Sequence, residues 1–123
     1  MTATHGTEPL YHLALRDDWD EALRLGVDYR RSTIGRSLED EGFIHTSFAH
    51  QVQTTADAFY RGHDVVLLVI DPTLVPHEVR VEEVGDGREF PHVHGPIPLA
   101  AVVAATPVPL APDGRPDVSA VMF

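Results

Sequence analysis

The sequence contains neither cysteine nor lysine. The first absence excludes disulfides, a thiolate nucleophile and cysteine metal ligands. The second excludes Schiff-base chemistry through a side-chain amine. All nine basic residues are therefore arginine, and they face 19 acids for a net charge of −10. Such a surface repels phosphate backbones and speaks against nucleic acid as a general partner. The densest positive stretch is Arg30-Arg31 with Arg36. No apolar run approaches the length of a membrane span, and the first residues do not read as a signal peptide. The expectation is a chain with no membrane partner and a cytoplasmic location. A Gly-x-Ser-x-Gly elbow and a Gly-x-x-x-x-Gly-Lys phosphate loop are also absent, which removes the α/β-hydrolase and P-loop readings at the level of motifs.

What is present fits one domain of 123 residues. Residues 1–9 are small and polar and are expected to fray. Residues 10–106 form the domain. Residues 107–123 form a proline-rich tail whose apolar end, from Val118, is expected to dock on the body. Apolar runs predict strands at 10–15, 43–47, 65–70, 79–84, 90–94 and 99–106. Val65 to Ile70 are continuously apolar, as in a strand covered on both faces. Helices are predicted at 18–25, with Asp18 and Glu21 as a capping box, and at 48–60, with Ser47 as the cap. Residues 27–36 read as an arginine-rich loop, and Ser37 to Glu41 as a helical turn stopped by Gly42. Gly85-Asp86-Gly87 reads as a hairpin turn. The expected fold is α+β: a small, curved, largely antiparallel sheet with two helices. Trp19, Phe43, Phe59, Leu67, Val69 and Val81 are expected in the core.

Eight histidines in a chain this short invite a functional reading. Alternate residues of a strand share a face. His12 then lies with Leu10 and Ala14, His45 with Phe43 and Ser47, and His92 with His94. Each imidazole sits on an otherwise apolar face, where a single histidine is ordinarily a hydrogen-bonded core residue. Several such segments together point to a shared pocket. His-x-His is also a metal-ligand spacing, and His45 or His12 would be the third ligand. No feature fixes that third ligand, so no metal is expected. Glu89 is a candidate to orient an imidazole. His63 and His77 fall in loops and read as solvated, while His50 falls in a first helical turn and His5 in the frayed terminus.

The strings Tyr11-His12, Glu41-Gly42-Phe43-Ile44-His45-Thr46-Ser47, Leu67 to Asp71 and Phe90-Pro91-His92-Val93-His94-Gly95-Pro96 resemble, in order and spacing, the small bacterial domain-of-unknown-function 952 family. That family looks like a compact relative of the ADP-ribosyltransferase group, which holds NAD in a cleft of a split antiparallel sheet. The resemblance implies that His12 anchors a ribose and that His45-Thr46-Ser47 shapes the nicotinamide pocket. His92, with His94, would stand at the third position, where the group commonly has glutamate. That departure leaves NAD as a substrate open and disfavours protein ADP-ribosylation.

The reading is a small-molecule site, with NAD or an ADP-ribose-like nucleotide as the first ligand class. Its catalytic candidates are His12, His45 and His92. Its binding candidates are Tyr11, Thr46, Ser47, His94 and Arg36, with Arg30 or Arg36 to meet a pyrophosphate. Two alternatives stand beside it. One is acid/base catalysis, an isomerisation or cyclisation, on a small metabolite. The other is a non-catalytic module that binds a ligand or protein. The sequence leaves the cofactor and the oligomeric state unspecified.

Overall fold

The structure, a computed structural model, describes residues 8–122. The expectation of a frayed start falls almost wholly outside them. The described chain is a mixed α+β fold built on two three-stranded antiparallel sheets and a small hairpin. In the first sheet β5 (Val65–Ile70) lies between β1 (Leu10–Leu15) and β8 (Val102–Pro107). In the second, β7 (Glu89–Val93) lies between β4 (Ile44–His45) and β6 (Val79–Glu83). Strands β2 (Arg31–Thr33) and β3 (Arg36–Ser37) form the hairpin. The two larger sheets meet edge to edge at one point. There Tyr11 N–H donates to the Ser47 carbonyl at 2.9 Å, and Ser47 N–H returns the bond to Tyr11 at 2.8 Å.

The central strand explains the core. Leu68, Ile70 and Val66 of β5 point into one apolar cluster, and Leu67 and Val65 into another. The first cluster takes Leu10 and Ala14 from β1, Trp19 and Ala22 from the helix α1 (Arg16–Leu25), Ile44 and Val93 from the second sheet, and Ile97 beyond β7. The second takes Leu13, the helix α3 (Val52–Phe59) through Val52 and Ala56, and Tyr60 just beyond it. The tail closes this second cluster with Val108 and Val118, as its apolar end foreshadowed.

Several local expectations need correction. Helix α1 begins directly at Arg16, with extended Leu15 as its cap and no capping side chain. Asp17 and Asp18 lie inside its first turn, where their charges suit the helix dipole. Residues 27–36 contain β2 and Tyr29, which pairs with Ile97. Arginines had masked that short hairpin. Ser47 is used in the bridge to Tyr11, so Phe48 caps a short 3-10 turn that leads into α3. Residues Leu99–Ala101 form another 3-10 turn before β8 starts. The capping box of α2 (Leu38–Glu41) is present between Ser37 and Asp40.

The largest correction concerns Phe59, which is 66% exposed. On a turn of 3.6 residues, Val52, Ala56 and Tyr60 share one arc, while Thr54, Thr55 and Ala58 share the next. Phe59 lies on the border between the arcs and goes with the second. Phe43, Val69 and Val81 are half-buried, while Trp19 and Leu67 are buried as expected.

Candidate functional site

The second arc of α3 faces a cleft of about 380 Å³. Thr54, Thr55, Ala58 and Phe59 form one wall. Tyr11, Leu13, Thr46 and Ser47, at the junction of the two sheets, form another. Thr33 and Tyr60 stand together, their hydroxyls 3.3 Å apart. Val84, Arg88 and Phe90 come from the β6–β7 hairpin, whose turn uses positive φ at Gly85 and Gly87. His12 and His45 complete the lining. The volume lies in the range of small-ligand pockets, and apolar and aromatic walls with a few convergent polar groups are their usual make-up.

His12 is 3% exposed and both of its ring nitrogens are committed. Nδ1 lies 2.6 Å from the His45 carbonyl. A carbonyl only accepts, so the proton is on Nδ1. Nε2 must then accept from the Tyr29 hydroxyl, 2.9 Å away. Burial lowers the His12 pKa to about 4, outweighing the bond to the His45 carbonyl. His12 is thus a neutral clamp on the backbone of His45. Removing its donor with Tyr29→Phe strands a buried acceptor and should cost about 1–3 kcal/mol of stability, measured by denaturant unfolding. A loss below 0.5 kcal/mol, taken as roughly the error of such a comparison, would show that this bond does not hold the ring.

His45 differs in kind. Its side chain is 39% exposed. Its backbone is pinned three ways: by His12, by β7, and by Ser32, whose hydroxyl accepts from His45 N–H and donates to the Phe43 carbonyl. Its Nε2 lies 2.9 Å from Glu41 Oε1, and Arg36 Nε lies 2.7 Å from Glu41 Oε2. The bond from His45 and the charge of Arg36 hold the Glu41 carboxyl below its usual range. An ionised carboxylate accepts only, so Nε2 carries a proton, and in the neutral tautomer Nδ1 keeps its lone pair. Among the described residues, that lone pair has no hydrogen-bond partner.

Behind His45 stands a second imidazole group. His92 lies edge-on to His45, with ring centroids 5.2 Å apart, and stacks on Phe43 at 4.1 Å. One oxygen of Glu82 accepts from His92 Nδ1 at 2.8 Å and from His94 Nε2 at 3.0 Å. These two bonds lower the Glu82 pKa. His92 itself is 4% exposed, and burial lowers its pKa against the pull of Glu82. Its Nε2 is buried without a hydrogen-bond partner among the described residues.

The sequence is that of a known family. Residues 13–105 match the family described as Protein of unknown function (DUF952). The chain belongs to DUF952. The crystal structure of protein CC0527 from Caulobacter crescentus superposes on it with a TM-score of 0.80 at 28% identity, covering 92% of this chain and 96% of that one. The solution structure of CC0527 gives a TM-score of 0.76 at 28% identity, covering 93% and 96%. No curated protein matches.

Placed on this DUF952 structure, Tyr11, His12, His45, Thr46 and Ser47 line the cleft. His92 and His94 do not line it. They reach the site through the contact of His92 with His45 and through Phe43, which packs against all three rings. Arg36 also lies outside the lining and supports Glu41 instead, while Arg30 pairs with Glu39. Glu89 bears on no imidazole; Glu41 and Glu82 orient the histidines. Glu82 was legible through the hairpin: a turn centred on Asp86 sets Glu82 opposite Phe90 and diagonal to His92. Phe59 is a cleft residue whose exposure the helical period alone did not reveal. Phe59→Ala should leave stability unchanged to within about 0.5 kcal/mol, as for an exposed position. It should weaken occupancy of the cleft several-fold in a calorimetric titration. A large loss of stability would return Phe59 to the core.

Proposed function

We propose that the cleft binds a small organic molecule and that His45 transfers a proton on it. The observation that carries this is the chain Arg36–Glu41–His45, which ends at the cleft wall with Nδ1 free of any hydrogen-bond partner among the described residues. An imidazole held by a carboxylate is the usual arrangement of a positioned general base. A hydroxyl or acidic C–H of the ligand gives its proton to Nδ1. Glu41 steadies the imidazolium until the proton is returned. Tyr11, Ser47, Thr54 and Thr55, all hydroxyl-bearing, line the same space and suit a hydroxylated ligand. The aromatic walls suit a flat one.

Within this reading, NAD or an ADP-ribose-like compound is the first ligand class, supported by the resemblance to the ADP-ribosyltransferase group. The ribose hydroxyls would meet Ser47 and Thr46 rather than His12, whose nitrogens are spent. Thr46 donates to the Pro91 carbonyl and has only its lone pairs to offer. The test is a thermal-shift and calorimetric screen of NAD, ADP-ribose and nucleosides, followed by product analysis of the binders. Binding lost in Ser47→Ala with the fold intact, and turnover lost in His45→Ala, are the expected results. Binding without turnover, equal in wild type and His45→Ala, would replace catalysis by a non-catalytic ligand module.

A further inference from the structure

We infer that Arg88 makes this a site for organic phosphates, gripping a phosphate group where the cleft opens into a second groove. The inference rests on reading the cleft as a small-ligand site. The second groove, of about 530 Å³, runs on past Phe48, His50 and Gln51 and shares Thr54, Arg88 and Phe90 with the cleft. The shared residues form a common border between the cleft and the groove. Arg88 is the only arginine among the described residues lining either part. Its position on that border places a cation beside both hollows.

The guanidinium is held in advance. Arg88 N–H donates to Asp86 Oδ1 at 3.1 Å, and Nε donates to Asp86 Oδ2 at 2.8 Å. Nη2 lies 2.7 Å from the same oxygen. The guanidinium carbon lies 5.5 Å from the centroid of the Phe90 ring. A side chain tied in this way loses little further freedom when a ligand arrives. Asp86 uses Nε and Nη2, so the N–H groups of Nη1 remain for another acceptor. A phosphate oxygen takes them with a charge-assisted bond, which a neutral hydroxyl matches poorly. The exposed His50 and the Thr54 hydroxyl stand along the same groove. Glu89 is the one carboxylate in its lining and works against an anion. With a net charge of −10 on the chain, phosphate selectivity must come from such a local cation.

The experiment is a calorimetric titration of the full chain with adenosine, adenosine monophosphate and ADP-ribose, in wild type, Arg88→Gln and Arg88→Lys. Wild type should bind the monophosphate about tenfold or more tighter than adenosine, as expected for hydrogen bonds to a charged group. Arg88→Gln should erase that ratio, bringing the monophosphate and adenosine to the same affinity. Arg88→Lys should keep part of it. A wild type that binds adenosine and the monophosphate equally overturns the role of Arg88 but leaves the cleft reading standing. So does a ratio that survives in Arg88→Gln. Failure of all three probes at low millimolar concentration overturns the phosphate assignment. The general cleft reading is then judged separately, by whether Phe59→Ala and Ser47→Ala alter binding of hits from the wider screen.

Discussion

Acidification from pH 7 to pH 4 should remove about 3 kcal/mol of folding stability through His12 alone. In the unfolded chain this imidazole titrates at the ordinary 6.5, and in the folded chain at about 4. Between those values the unfolded state binds the extra proton, so stability rises with pH across the window and falls as pH is lowered. Each pH unit is worth about 1.4 kcal/mol, and the contribution is complete above the unfolded value. The ring is buried, so solvent screening does not reduce this figure. His92, also lowered by burial, acts in the same direction. The carboxylates Glu41 and Glu82, lowered by their histidine partners, lose their contribution further down, as pH falls below the unfolded carboxylate range. The check is a set of urea unfolding curves from pH 7.5 to 4 for wild type and His12→Gln. The variant should be less stable at neutral pH and show a flatter dependence between 6.5 and 4. Parallel curves would mean that His12 is not neutral in the fold.

That result bears on how the sequence reads. His12 looked like a ligand-facing residue because it interrupts an apolar strand, yet the same interruption is what a buried clamp requires. Its partner Tyr29 lies in a segment whose arginines suggested a loop, and nothing local announced that its hydroxyl would reach β1. Long-range pairing of this kind is invisible to periodicity. The strands were legible because alternation and continuous apolar runs are local, and β5 declared its central place by having no polar face. The relation of His92 to Glu82 was half-legible: the Gly-Asp-Gly turn fixes the register of β6 against β7. The relation of His45 to Glu41 was not, since Gly42 breaks the helix between them. Phe59 misled for a further reason. A helix lying between core and cleft can carry large apolar residues on both arcs, and residue type does not say which arc Phe59 joins.

Replacing His45 should produce the largest loss of activity on whatever substrate the ligand screen yields. General acid/base groups typically contribute 10²–10⁴-fold, so His45→Ala should reduce turnover by roughly that factor. The loss should fall on kcat with KM little changed, because the imidazole does its work on the moving proton. Glu41→Gln should fall between that variant and wild type: its amide can still accept from His45 Nε2–H, but it no longer balances the imidazolium charge. Arg36→Gln should have a smaller effect in the same direction, since Arg36 touches only the far oxygen of Glu41. Phe59→Ala, by contrast, should raise KM with kcat nearly intact. This ordering separates a proton-transfer site from a site that merely contains a histidine, because a binding role for His45 would move KM first and leave Glu41 and Arg36 without influence on kcat. Turnover in His45→Ala within about threefold of wild type, far short of the effect of a general base, would end the assignment. The second carboxylate–imidazole group, His92 with Glu82, would then be the place to look, since the buried His92 Nε2 also has no partner among the described residues.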